Sequence, residues 1–561
     1  MELTGGQIVV EVLKSEGVTH VFGYPGGAAL PLYDALCDSG ITHILTRHEQ
    51  GAAHGADGYA RATGKVGVCI STSGPGATNL VTGIATANMD SIPMVCITCQ
   101  VVSGLLGKDS FQEADVVGIT APITKFNHMV TSVDELGTVL KQAFHIARSG
   151  RPGPVVIDIP KDMFGKVYDF ILPETPEELG LKGYKVNRIG QEEKIDQVAK
   201  ALAQAKQPVL FMGGGVIASG MGDVMLRLAK DTGIPVVTSL MAISALPTTL
   251  PNYLGMVGMH GTYAANMATT EADLLIGLGV RFDDRVTSVI SEFVPHGKIA
   301  HFDIDPSELG KNVPTEWKVQ GDLAWSLPLL AQKAKVGDIS HWQKKIASWQ
   351  EEHPLPQPQE AAEGGLISPP AIFAAMNNVM EADSILVTDV GQHQMWAAQY
   401  SKRSVPRSFL TSGGLGTMGY GLPAAMGAQI GCPDKEVWLV SGDGSIMMNC
   451  QELATLAEQQ LPVKIIVCNN RGLGMVRQWQ RLFFRERCFG SKHEMDTDFP
   501  ALAQALGVKG MQVKDARLLE EVLTLAKAYP GPVLIDARIV ETANVYPMVA
   551  PGAAIHQMIE S

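Results

Sequence analysis

The stretch Val437-Trp438-Leu439-Val440-Ser441-Gly442-Asp443-Gly444-Ser445, with Val463-Lys464-Ile465-Ile466-Val467-Cys468-Asn469-Asn470 after it, decides the fold. Each apolar run is too short for a helix, is bounded by turn residues, and reads as a buried strand. Asp443 and Asn470 are 27 residues apart, enough for one helix and a return strand, so both reach the same edge of a parallel sheet. Gly442 and Gly444 let the backbone turn sharply and come close to a bound anion. Asp443 offers a hard anionic oxygen there and Asn470 a neutral one. The plainer alternative is a strand-turn-helix in which Asp443 is only a helix cap.

Working outward, Val/Ile-rich runs alternate with helical patterns along the whole chain: 66–71, 94–98 and 155–159, then 208–212, 273–277 and 299–302, then 385–388, 437–440 and 463–468. Continuous apolar strands separated by helices form parallel sheets covered on both faces. Two stretches rich in Pro and charge, 169–192 and 351–370, read as linkers. The expected fold is α/β with three domains, each a mostly parallel sheet covered by helices, at 1–170, 190–345 and 370–545, with a C-terminal tail at 546–561. The outer two echo each other in order. Gly58-Tyr59 and the residues after it resemble Gly419-Tyr420 and theirs; Ser73-Gly74-Pro75-Gly76 resembles Ser441-Gly442-Asp443-Gly444; Gly153-Pro154-Val155-Val156-Ile157-Asp158 resembles Gly531-Pro532-Val533-Leu534-Ile535-Asp536. Three matches in one order imply two domains of one topology around a different middle domain, with each echo expected where a strand meets a helix.

Composition narrows the function. The 561 residues carry a net charge of −13 without long runs of either sign, so nucleic acid and anionic membranes are not expected partners. Hydrophobic residues make up 46% and charged ones 18%, which excludes general disorder and allows large cores and buried oligomer surface. The eight cysteines lie mostly inside apolar segments, as in a reducing compartment. Cys96-Ile97-Thr98-Cys99 reads as a buried strand end in preference to a redox or metal pair. Neither a basic-then-apolar leader nor a run of 18 apolar residues occurs, so a cytoplasmic chain without a membrane span is expected.

Gly-Asp-Gly followed at this spacing by Asn-Asn is the thiamine diphosphate signature. Mg²⁺ there takes Asp443, Asn470, one backbone carbonyl (Gly472), a water and two diphosphate oxygens. Further motifs extend the match from 21 to 479: Val21-Phe22-Gly23-Tyr24-Pro25-Gly26-Gly27, Arg47-His48-Glu49-Gln50, Phe111-Gln112-Glu113, Ser149-Gly150-Arg151-Pro152, Gly258-Met259-His260-Gly261, Arg281-Phe282-Asp283-Asp284-Arg285, Gly391-Gln392-His393-Gln394 and Gly474-Met475-Val476-Arg477-Gln478-Trp479. On these residues the chain resembles the catalytic subunits of the acetohydroxyacid synthase (acetolactate synthase) family, among the pyruvate oxidase-like thiamine diphosphate enzymes. The resemblance implies a first domain for the cofactor's pyrimidine, a middle domain for FAD and a third for the diphosphate.

Glu49 sits in a Gly/Ala-rich neighbourhood, and a carboxyl in a dry niche has its pKa raised. By resemblance it shares a proton with the pyrimidine nitrogen. A structural glutamate is the plainer reading; a zinc site from His48, Glu49 and His54 misses the zincin spacing. Met418 is core filler by composition, but by resemblance it props the cofactor into a bent form, with the Gly416 carbonyl holding the pyrimidine amino group. Gln392, His393 and the backbone of Gly444 and Ser445 would reach the diphosphate. The cluster 281–285 reads from composition as solvated ion pairs. By resemblance Arg285 forks onto the second substrate's carboxylate and Arg281 faces the flavin. Trp479 would line the acceptor pocket and favour an ethyl over a methyl group, with Met259 the next candidate. Gly27, Phe111, Gln112 and Lys161 match family positions around the reacting carbon, although Lys161 alone reads as a surface turn. Gly213-Gly214-Gly215 would cradle the FAD diphosphate despite departing from G-x-G-x-x-G, with Arg151 and His260 as further cofactor contacts.

The implied reaction decarboxylates pyruvate and transfers the two-carbon unit to pyruvate or 2-oxobutyrate. The products are 2-acetolactate or 2-aceto-2-hydroxybutyrate, for valine, leucine and isoleucine synthesis, with FAD a non-redox spacer. Because sites of the resembled family draw the residues matching Glu49 and Asp443 from different chains, the resemblance implies a homodimer or homotetramer, and family enzymes usually bind a small regulatory subunit. The rivals are a flavin-dependent pyruvate oxidase, a glyoxylate carboligase, against which Glu49 argues, and an inactive cofactor-binding paralogue.

Overall fold

The computed structural model describes residues 1–173, 178–359 and 365–561, so the expected linkers 169–192 and 351–370 lie partly outside the described residues. Three six-stranded sheets carry the chain, and every pairing within them is parallel. The first runs in spatial order Thr42–Leu45, His20–Tyr24, Gly67–Ser71, Met94–Gln100, Pro154–Pro160, Phe126–Met129. The third runs Phe409–Leu410, Ile385–Thr388, Val437–Gly442, Lys464–Asn469, Val533–Arg538, Lys509–Val513. Numbered within each sheet, both read 2-1-3-4-6-5, one topology used twice. The middle sheet runs Tyr253–Met256, Val236–Thr238, Pro208–Met212, Leu274–Leu278, Lys298–Asp303, Trp317–Gln320. Its order is 3-2-1-4-5-6, that of doubly wound dinucleotide-binding folds, with the switch point between Pro208–Met212 and Leu274–Leu278.

The three echoes fall on equivalent elements, but only 73–76 and 441–444 sit where a strand feeds a helix. Gly153 and Gly531 instead precede the amino ends of equivalent strands. Gly58 lies inside helix Glu49–Thr63, which packs on its counterpart Gly421–Gly431. Glycines make that approach possible: a Cβ on Gly58 would lie 2.1 Å from the Ala424 carbonyl, and one on Gly427 1.9 Å from that of Gly55. The first echo is therefore a helix–helix contact joining the outer domains.

One boundary differs from expectation. Helix Ser340–Glu352 runs past 345 because Trp342, Ile346 and Trp349 pack into the middle core. The C-terminal tail 546–561 is held in place: Met548–Val549 pairs antiparallel with Met558–Ile559, and the Asn266 amide donates to the Ile555 carbonyl at 3.1 Å. Cys96 and Cys99 are fully buried in strand Met94–Gln100, three residues apart and so on opposite faces. Among the described residues no helix is long and apolar enough to cross a membrane.

Candidate active site

At the carboxyl edge of the third sheet, Asp443 opens a short helix directly after strand Val437–Gly442. Its Oδ1 accepts the N–H of Gly444 at 3.1 Å and its Oδ2 that of Gly472 at 2.8 Å, with His493 Nδ1 3.4 Å away. Burial pushes its pKa up despite these bonds. Asn470, at the end of the adjacent strand, donates to Gln392 Oε1 at 3.1 Å, and its buried Oδ1 has no partner. A buried carbonyl oxygen left unpaired is costly, and a hard cation beside Asp443 is the ligand that would satisfy it. Among the described residues no cluster of three His, Cys, Asp or Glu could hold a metal. One carboxylate with neutral oxygens suits Mg²⁺ that also binds diphosphate.

His393 lies against the glycine turns, where a Cβ on Gly391 or Gly442 would meet its ring at 2.9 and 3.0 Å. Burial lowers its pKa to about 3, so the ring is neutral, and its buried Nε2 has no partner. Gln392 departs from expectation. Its amide donates to Gln478 Oε1 and the Ala543 carbonyl, both at 2.8 Å, and its oxygen receives Asn470, so the side chain orients Asn470 and is not free for a diphosphate. The Ser445 hydroxyl donates to the Val390 carbonyl at 2.9 Å, which leaves the expected backbone contact of Ser445 untouched. Gly416 adopts φ +68°, and a Cβ on Gly444 would come within 3.7 Å of the Met418 methyl. Asp389, which sequence reasoning missed, holds this turn. Fully buried, it accepts the N–H groups of Val390, Gly419 and Gly421 and the Ser441 hydroxyl.

On the first domain, Glu49 is the first residue of its helix, which His48 caps by accepting the Gln50 N–H at 3.0 Å. Glu49 is 8% exposed, and its Oε2 receives the Asn79 amide at 2.9 Å. Gly74 and Gln112 pack back to back, each at φ +59°, leaving 2.8 Å from a Gly74 Cβ to Gln112 Cα. Such strain at a non-glycine residue marks a conformation fixed by its surroundings. Phe111 beside it is 88% exposed, Gly27 has open space where a Cβ would stand, and Lys161 begins a short turn after strand Pro154–Pro160. Within one chain, no hydrogen bond or ion pair links this group to the Asp443 group among the described residues.

A cavity of about 650 Å³ gathers the remaining candidates: Arg151, Gly213, Gly214, Gly215, Met259, His260, Arg281, Arg285, Gly416 and Trp479 all line it. It lies at the middle sheet's switch point, where open α/β sheets take ligands. Gly213 and Gly215 are glycines because the backbone of Gly279 would meet their Cβ atoms at 2.0 and 2.7 Å; Gly214, with Met241 Cβ at 3.3 Å, is the roomier of the three. Arg151 joins domains, donating to Ser91 Oγ at 2.8 Å and Glu308 at 2.7 Å. The Arg285 side chain is 63% exposed, with Nη1 3.7 Å from Met259 Sδ. Arg281 stands 3.6 Å from Asp283. His260, whose pKa burial lowers to about 4, lies 3.2 Å from the Pro547 carbonyl. Trp479 stacks edge-on with Phe483.

Family models agree with this layout. The N-terminal TPP binding domain of thiamine pyrophosphate enzymes matches residues 3–119, their central domain 195–330, and their C-terminal TPP binding domain 389–537. Fold and site together define a thiamine pyrophosphate-dependent enzyme. Acetolactate synthase isozyme 2 large subunit of Escherichia coli is 46% identical over the full length of both chains. The acetolactate synthase large subunits of Pyropia yezoensis (45%; 100% of this chain, 95% of the relative) and Parasynechococcus marenigrum (46%; 99% and 91%) are similar throughout. The chain belongs to the acetolactate synthase large-subunit family.

Proposed function

We propose that the protein decarboxylates pyruvate and joins the two-carbon unit to a second 2-keto acid, pyruvate or 2-oxobutyrate, in branched-chain amino acid synthesis. The carrying observation is the unpaired Asn470 Oδ1 beside buried Asp443 at adjacent strand ends, a donor set suited to Mg²⁺ and a diphosphate. Asp443, Asn470 and Gly472 would hold the metal, with neutral His393 against the diphosphate. When bound, thiamine diphosphate supplies the carbanion chemistry that releases CO₂. Glu49, oriented by Asn79, holds and returns a proton at the pyrimidine nitrogen. Gly416 and Met418 fix the cofactor's conformation, Arg285 binds the acceptor's carboxylate, and Trp479 faces its alkyl group. The cavity at the switch point is the site for FAD, which this reaction does not oxidise or reduce.

A second chain is part of this reading. No hydrogen bond or ion pair joins the Glu49 and Asp443 groups within one chain, among the described residues. Exposed apolar residues accompany each: Tyr24, Leu30 and Phe111 on the first domain, and Leu415, Met447, Met448 and Val476 on the third. We further propose a homodimer or homotetramer in the cytoplasm, with a small regulatory partner supported by relatives that bear the name large subunit. The test is the purified protein with thiamine diphosphate, Mg²⁺, FAD and pyruvate, with and without 2-oxobutyrate. Acetolactate with unbleached flavin is expected; acetate with flavin reduction would make the protein a pyruvate oxidase instead.

A further inference from the structure

We infer that Asp90, with Arg61, is a positioning residue for the glycine-rich loop 411–420, a first-domain carboxylate clamping the third-domain segment that presents Gly416 and Met418. The inference rests on the cofactor-facing reading of those two residues. Asp90 ends helix Val81–Asp90, and its side chain is fully buried. Its Oδ2 accepts the Gly413 N–H at 3.0 Å and its Oδ1 the Gly414 N–H at 2.7 Å, while Arg61 Nη2 lies 2.9 Å from Oδ2. Bonds to an ionised acceptor are stronger than neutral ones, so both amides are held firmly.

Arg61 anchors the start of the same loop by donating to the Thr411 carbonyl at 2.7 Å. It also pairs with Asp57 at 2.5 Å, and Asp57 accepts the Tyr420 hydroxyl at 3.0 Å at the loop's far end. One buried charge cluster thus grips the loop at its beginning, middle and end. A Gly-Gly pair has no side chain with which to anchor itself, so the position of Gly416 two residues on depends on where these amides are tied. The clamp explains Gly414, whose Cβ would sit 2.9 Å from Asp90 Oδ1 and 3.0 Å from Met89 Cβ, whereas a Cβ on Gly413 would meet Met241 Sδ at 2.6 Å. No local motif announces this contact, because the carboxylate lies 323 and 324 residues from its targets.

The test is amide hydrogen exchange of loop 411–420, together with equilibrium binding of thiamine diphosphate at saturating Mg²⁺. Wild type, Asp90→Asn and Asp57→Asn are compared. In wild type, Gly413 and Gly414 should exchange at least about tenfold more slowly than Leu415. Asp90→Asn should lose that protection and bind the cofactor about tenfold or more weakly. Asp57→Asn removes a partner from the same buried Arg61 but leaves both glycine amides bonded, so it should keep the protection. Unprotected wild-type Gly413 and Gly414 overturn the clamp, and this measurement decides even where Asp90→Asn does not fold. Wild-type cofactor affinity in Asp90→Asn, or an Asp57→Asn variant matching it in both readouts, also overturns it. A wild-type chain that binds no thiamine diphosphate overturns the proposed function, and the inference with it.

Discussion

Glu452→Gln should stabilise the protein above pH 7 and leave it nearly unchanged near pH 4.5. Glu452 is fully buried beneath helix Glu49–Thr63: Oε1 accepts the Arg47 N–H at 2.9 Å, Oε2 the Thr455 hydroxyl at 2.8 Å, and a Cβ on Gly51 would lie 2.3 Å from Oε1. Desolvation outweighs those bonds and raises its pKa from 4.5 to about 7. The folded state therefore holds the proton more tightly than the unfolded state. That stability is fully present below pH 4.5 and is lost as pH rises through 7, a loss of about 3 kcal/mol. Gln keeps both hydrogen bonds, its carbonyl for Arg47 and its amide for the Thr455 oxygen, and never ionises. For a domain of this size about 3 kcal/mol moves the thermal midpoint by roughly 6 to 12 °C. The assay compares midpoints at pH 5 and pH 8 at one protein and cofactor concentration, because binding shifts apparent stability. A gain of equal size at both pH values, or none at pH 8, would refute the assignment of a buried carboxylate ionising at a cost.

Glu49→Gln should still accept the Asn79 amide and bind cofactor, yet lose about 100-fold or more in turnover, since an amide cannot carry the proton; near-normal turnover at saturating thiamine diphosphate would remove Glu49 from the chemistry. Asp443→Ala should abolish Mg²⁺-dependent cofactor retention, and a variant that purifies fully loaded would show the ligand assignment to be wrong. With 2-oxobutyrate and pyruvate competing as acceptors, Trp479→Leu should move the product ratio toward acetolactate by about tenfold, or about 1.4 kcal/mol of lost apolar contact, whereas Arg285→Lys should lower the rate and leave the ratio unchanged; the opposite pattern would exchange the two roles. Gly427→Ala places a methyl 1.9 Å from the Gly55 carbonyl and should lower the thermal midpoint by several degrees, and an unshifted midpoint would mean that the two helices do not depend on that approach.

The apolar runs read from sequence all became strands, with ends displaced by two residues at most, because both faces of these sheets are covered and their strands must be apolar throughout. Edge strands such as Phe126–Met129 and Lys509–Val513 escaped notice, since partial exposure permits mixed composition. The internal echoes were legible as repeats, but their meaning was not: Gly58, expected where a strand meets a helix, lies within a helix and packs it against another. Gln392 is the instructive site residue, because a motif position says nothing about which neighbours will consume an amide's hydrogen bonds.

The sequence by itself determined the parallel α/β architecture, the duplicated topology and the family, and it singled out Asp443, Asn470 and Glu49 as candidates. These are local properties: a strand's composition, a glycine beside the carboxylate it serves, a spacing of one helix and one strand. Only the tertiary structure decided what Asp389, Asp90 and Glu452 do, and that Arg151, Arg281, Arg285 and Trp479 surround one cavity. The physical reason is that these carboxylates act on backbone N–H groups up to 405 residues away. Every residue but proline carries such a group, so the target leaves no mark in the sequence until the chain folds.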